Sequence, residues 1–74
     1  MKKYYISFGQ SHVHLKGGKT FDKNCLAEIE TESAGEAHEL AMLIFDGVFY
    51  NVYTEDKIKE EGFMDFFPRG IIKA

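Results

Sequence analysis

Seventy-four residues, a single cysteine and a formal net charge of −3 define this chain. They exclude a disulfide-stapled scaffold, a membrane span and a second domain, and they leave one small domain, residues 1–74, that buries only about 60% of its unfolded surface. Charge is unevenly spread: residues 1–23 set Lys2, Lys3, Lys16, Lys19 and Lys23 against Asp22, a net +4, while residues 24–74 sum to −7. Solvated strand edges rich in Lys and helix faces rich in Glu produce such a split without any special partner. One unpaired cysteine suits a reducing compartment. No signal-type apolar run follows Met1-Lys2-Lys3, so the expected location is the cytoplasm.

Lys3 to Phe8 reads as a strand, with Tyr4, Ile6 and Phe8 on one face and Tyr5 and Ser7 on the other. Gly9-Gln10-Ser11 breaks it. His12 to Lys16 alternates again, which predicts a hairpin turned at Gly9, with His12 and His14 sharing a face. Gly17-Gly18 ends this second strand, and Lys19 to Asn24 reads as a loop. Cys25 to Ile29 forms a third strand, whose Leu26, Glu28 and Glu30 side is expected to face solvent.

Ser33 followed by Glu36 is a capping box, and Ala34, Ala37, Leu40, Ala41 and Ile44 then fall on one helical stripe that ends at Asp46-Gly47. Met42 and Leu43 lie outside the stripe, on the solvated side. Val48 to Tyr53 is strongly β-prone. Thr54 caps a short helical turn through Glu61, closed by Gly62. Phe63 to Phe67 is apolar, Pro68-Arg69-Gly70 makes a turn, and Ile71-Ile72 can add an edge strand. The expected fold is α+β: an antiparallel sheet of four to five strands with one main helix on one face, in the order β-β-β-α-β plus a short C-terminal helix and strand.

Eleven of the 74 residues are Phe or Tyr. One helix covers one face of a sheet, so rings such as Tyr5, Phe49 and Tyr53 are left for an open face unless the C-terminal segment folds back over it. Exposed apolar patches on small proteins mark interaction surfaces.

The stretch from Phe8 to His14 concentrates polar chemistry: Gln10, Ser11, His12 and His14 in one turn. A His-x-His pair can seat a transition metal, but no second Cys or paired acid stands at ligand spacing, so no metal and no cofactor are expected. Cys25 with His12 or His14 is a conceivable nucleophile pair that nothing in the spacing brings together. His38 borders the buried stripe, where a packing or capping role is the usual one. Gly17-Gly18-Lys19-Thr20 resembles the end of a P-loop, but Val13 occupies the position of the first glycine. Lysines beside exposed rings suit single-stranded nucleic acid, yet the acidic total and the lack of an RNP-like string argue against it.

Phe8-Gly9-Gln10, His12 to His14, Glu36-Ala37, Phe49 and Tyr53-Thr54-Glu55 together resemble the layout of a group of small, mostly uncharacterised bacteriophage and prophage proteins. These have an aromatic strand ending in Phe-Gly-x-Gly or Phe-Gly-Gln, a histidine-bearing strand, a Glu-Ala helix and an aromatic strand ending in Tyr-Thr-Glu. The similarity covers most of residues 3–55. The chain departs from the pattern at His38, where arginine is usual, and at Phe49, where tryptophan is usual. The resemblance implies a mobile-element accessory protein that binds a host or defence protein in the bacterial cytoplasm.

The expectation is therefore a non-enzymatic, phage-type accessory protein acting by protein–protein contact, as a homodimer or on a defence protein. Its contact residues would be Tyr5, His12, His14, Phe49 and Tyr53 on the open sheet face, with Met42 and Leu43 as a second patch. The alternative is a nucleic-acid or small-ligand module using Gln10, His12 and His14.

Overall fold

The computed structural model describes residues 1–60 and 67–74. Eight elements follow in order: β1 (Lys2–Ser7), β2 (His14–Lys16), β3 (Lys19–Phe21), β4 (Cys25–Thr31), α1 (Ala34–Ile44), β5 (Asn51–Thr54), α2 (Glu55–Glu60) and β6 (Gly70–Lys73). The α+β class is as the sequence indicates. The main sheet has four strands in the order β5-β1-β4-β6, and β2 and β3 form a separate two-stranded sheet.

β1 lies inside the sheet, antiparallel to β4 on one side and to β5 on the other. β4 and β5 therefore run in the same direction with β1 between them, and α1 is the crossover of a split β-α-β unit. β6 pairs with β4 in parallel, so the sheet is mixed rather than antiparallel.

The predicted hairpin at Gly9 does not form, because β4 and β5 occupy both edges of β1. The residues after Gly9 have no strand of that sheet to pair with. They pair forward instead: His14 opposes Phe21 and Lys16 opposes Lys19. Gly17 (φ 55°) and Gly18 (φ 77°) supply the two left-handed residues of a tight two-residue turn, whose twist matches the strands it joins. The expected loop at Lys19–Asn24 is thus half strand.

α1 begins as read. The Ser33 hydroxyl accepts from the Glu36 N–H (3.2 Å). The reciprocal half differs from a standard capping box: Glu36 Oε2 accepts from the Thr31 hydroxyl (2.6 Å) and the Glu32 N–H (3.4 Å), tying the helix to the end of β4. Ala37 and Ala41 are fully buried, so the helix axis lies close to the sheet. Leu40 and Ile44 are half-buried, and Ala34, expected on the buried stripe, is exposed. On this face Ile6, Phe8, Phe21, Cys25, Ala27, Ile29 and Phe45 form the main core. The rings of Phe8 and Phe21 both meet Phe45 edge-on, at 4.9 and 5.3 Å.

The second sheet face is covered too. Thr54 Oγ1 accepts from the Lys57 N–H (3.2 Å), which starts α2, and Ile58 is carried onto Tyr5 and Leu26, with Tyr53 and Phe67 packed alongside. Leu26 is fully buried and Glu28 nearly so. The side of β4 expected to face solvent is therefore interior at Leu26 and Glu28, while Glu30 is exposed as expected. The Phe67–Gly70 turn closes with the Gly70 N–H on the Phe67 carbonyl (2.9 Å). Of the expected apolar run Phe63–Phe67, all but Phe67 lies outside the described residues, as do Glu61 and Gly62.

Candidate interaction surface

The turn after β1 is held by its own histidine. The His12 N–H donates to the Gly9 carbonyl (3.0 Å), and the Gly9 N–H donates to His12 Nδ1 (2.8 Å). A Cβ on Gly9 would stand 3.2 Å from the His12 ring, a tight approach that a larger residue could make only if the ring shifted by a few tenths of an ångström. His14 does something different. Its Nε2 lies 2.7 Å from the Val48 carbonyl, which it serves as an N–H donor, and its ring leans on Phe8 and Phe45 at 5.7 and 5.1 Å. The imidazole thereby latches the β2–β3 hairpin to the loop after α1. The two histidines are engaged separately, and Gln10 is exposed in the turn.

Cys25 is fully buried at the start of β4. Its sulfur accepts from the Asp22 N–H (3.4 Å), and burial pushes the thiol pKa up. That is the opposite of what an activated nucleophile requires. Among the described residues no three His, Cys, Asp or Glu side chains gather as a metal site would need.

The expected contact face changes accordingly. Tyr5 is buried, its phenol 3.2 Å from Glu28 Oε1. Tyr53 is half-buried against the Tyr5–Leu26–Ile58 cluster, and Phe49 is half-buried against the main core. Tyr5 therefore belongs to no open sheet face, because α2 covers that face.

Met42 and Leu43 are where the sequence put them, on the outside of α1, 48% and 76% exposed. The chain then reverses sharply. The Phe45 N–H donates to Ala41, the Gly47 N–H to Met42 and the Val48 N–H to Phe45, with Asp46 (φ 54°) and Gly47 (φ 75°) both left-handed. The reversal lays the Met42 side chain over Gly47 and exposes Val48 and Tyr50 (70%) beside it. The Tyr50 N–H is fixed to the Ser7 carbonyl (2.8 Å). His38, one turn before Met42, packs edge-on against Phe49 at 5.5 Å. A strip running from His38 and Met42 to Val48, Phe49 and Tyr50 results, with Leu43 next to it on the helix.

Its electrostatic surroundings are mixed. Glu36, Glu39 and Asp46 are exposed and the last turn of α1 has no basic side chain, but Lys16, Lys19 and Lys73 line a cleft with Ile44, the final residue of the helix. Val48 and Tyr50 were hidden in the sequence by the β-prone run they belong to. The signal that would have found them is Asp46-Gly47 directly before, since a tight helix stop forces the next residues across the surface.

Comparisons with protein-family models, with curated proteins and with solved structures find no match to this chain. Among the described residues no helix is long and apolar enough to cross a membrane.

Proposed function

We propose that this chain is a small phage-type accessory protein, without enzymatic activity of its own, that acts in the host cytoplasm by binding a host or defence protein through the surface at the C-terminal end of α1. The observation that carries this reading is the exposed group Met42, Leu43, Val48 and Tyr50. Apolar surface of this kind suits a partner that presents an apolar knob. The same surface can pair with a second copy of the chain. The Gln10–His14 turn is less suited to a ligand, since both imidazoles are engaged within the chain.

The test is affinity capture from a bacterial lysate, run in parallel with the wild-type chain, Leu43→Lys and Leu15→Lys. Leu43 and Leu15 are equally exposed, at 76%, on different elements. The expected result is one protein retained by wild type and by Leu15→Lys and lost with Leu43→Lys. Retention by all three, or by none, refutes this surface. Light scattering on the purified chain reports self-association directly.

A further inference from the structure

We propose that the outer edge of β2 pairs with the same edge of a second copy of the chain, so that two hairpins join into one continuous antiparallel sheet. The contact is separate from the α1 surface and rests on backbone groups.

The strand edges of this protein are not alike. On β5 the Val52 N–H donates to Asn51 Oδ1 of its own strand (2.8 Å) and is not offered to a further strand. On β6 the Lys73 carbonyl accepts from Lys19 Nζ (2.7 Å). β2 has no such stopper. Lys16 and Lys19 close the two-residue Gly17-Gly18 turn and therefore exchange both of their backbone bonds. The next pair, Leu15 and Thr20, then turns its N–H and C=O groups outward. On β3 the Cys25 thiol reaches the outward Thr20 carbonyl (3.9 Å). Among the described residues nothing bonds the N–H or C=O of Leu15, and Val13, two residues earlier, has no ladder partner either.

The side chains agree with the backbone. His14 leans inward on Phe8 and Phe45, so Val13 and Leu15 on either side of it turn outward and are 61% and 76% exposed. An apolar edge without a stopper is the form that sheets avoid unless it is paired.

A second copy fits this edge. A two-fold axis at His14 sets Val13 opposite the second copy's Leu15 and Leu15 opposite the second copy's Val13, and each cross pair exchanges both of its backbone bonds. The outward apolar side chains of both copies then meet on one face. Lys16 falls opposite the second copy's His12. The two Lys16 residues stand about 13 Å apart along the strands, beyond the screening length of about 8 Å at physiological salt. One contact closes two open edges, whereas a foreign strand would leave its own outer edge bare. β2 is only three residues long, so the contact is far smaller than the roughly 1,200–2,000 Å² of stable complexes and the dimer is weak.

The experiment is sedimentation velocity on the intact chain, with wild type, Leu15→Lys, Leu15→Pro and Leu43→Lys, up to about 1 mM to match a contact of this size. Wild type and Leu43→Lys should pass reversibly from monomer to dimer. Leu15→Lys should weaken dimerisation at least about tenfold. Leu15→Pro removes the outward N–H while sparing the ladder to β3, and should do the same. The NMR shifts of the His14 ring, which report the seating of the hairpin on Phe8 and Phe45, should be unchanged in Leu15→Lys, so that its loss of dimer is not a loss of fold. In a mixed-label wild-type sample, contacts between Val13 and Leu15 of different copies should appear. A monomer at every concentration, a dimer lost with Leu43→Lys but kept with Leu15→Lys, or a dimer without the Val13–Leu15 contact would each overturn the proposal. So would a lysate protein held by wild type and lost with both Leu15 variants, which would assign the edge to a foreign strand.

Discussion

The phenol of Tyr5 donates a 3.2 Å hydrogen bond to Oε1 of Glu28, its direct partner across β1 and β4, and both side chains are buried. An acid in the interior of so small a protein depends on that donor. Tyr5→Phe keeps the ring and removes the proton, so it should cost about 1–3 kcal/mol of stability in denaturant titration. Full stability in the variant would mean that the bond contributes nothing.

The same pair makes a prediction about pH. Burial, then the charges of Glu28 and Glu55, push the Tyr5 pKa from 10.0 up to about 12. Because the folded value is the higher, its contribution is complete below pH 10 and is lost as the pH rises from 10 towards 12. An alkaline titration followed by tyrosinate absorbance should show one of the four tyrosines ionising last, and Tyr5→Phe should abolish that step. Four indistinguishable tyrosines would contradict the assignment.

Ile58 is the apolar anchor by which α2 closes the second sheet face over Tyr5 and Leu26. Ile58→Ala should cost about 2–5 kcal/mol, as large-to-small changes at buried sites do. Binding of a hydrophobic dye should rise in the variant, since the face it uncovers is aromatic. A loss below about 1 kcal/mol would show that α2 merely rests on the sheet.

The two histidines of the opening turn should separate under mutation. His14→Ala removes the Val48 hydrogen bond together with the contacts to Phe8 and Phe45, and a loss of about 2–3 kcal/mol is expected. His12→Ala frees a half-exposed Gly9 N–H to meet water and should cost about 1 kcal/mol or less. Hydrogen exchange across Val13–Phe21 should accelerate in the first variant only.

Cys25 should resist modification. A raised thiol pKa and complete burial both deplete the reactive thiolate at neutral pH. Labelling by a disulfide reagent should be slow and should speed up with denaturant in step with unfolding. Rapid labelling of the native chain would show that the start of β4 opens on its own.

Local signals carried into the structure well. The Ser33 cap, the buried alanines, the Asp46-Gly47 stop and the Thr54 cap each depend on residues within a few positions of one another. So does the outward placement of Met42 and Leu43. Long-range choices were less legible. Whether His12–Lys16 pairs backward onto β1 or forward onto β3 turns on which strands have already claimed the edges of β1, and these lie some twenty to fifty residues further on. The burial of Glu28 was equally hidden, since an alternating Leu-x-Glu-x-Glu pattern reads as solvated, and Leu26 is covered by Ile58 of α2 while Glu30 alone stays exposed. Of the seven expected contact residues Tyr5 is buried, His12, His14, Phe49 and Tyr53 are half-buried, and Met42 and Leu43 are exposed.

The position of β1 also governs how the chain assembles. β1 is an inner strand bonded to Cys25–Thr31 and Asn51–Thr54, both of which follow it in the chain. Tyr4, Tyr5 and Ile6 gain their first neighbour only with Cys25–Thr31 and their second only with Asn51–Thr54. Loop closure must precede any reward from these pairings, so folding should be slow for a protein of this size and uncooperative in truncated forms. An aromatic strand that waits with an edge open is also a segment prone to pair with another copy. Aggregation during synthesis, rather than loss of the folded state, is therefore the hazard this topology sets, and the lysines at positions 2 and 3 are well placed to keep that strand soluble in the interval.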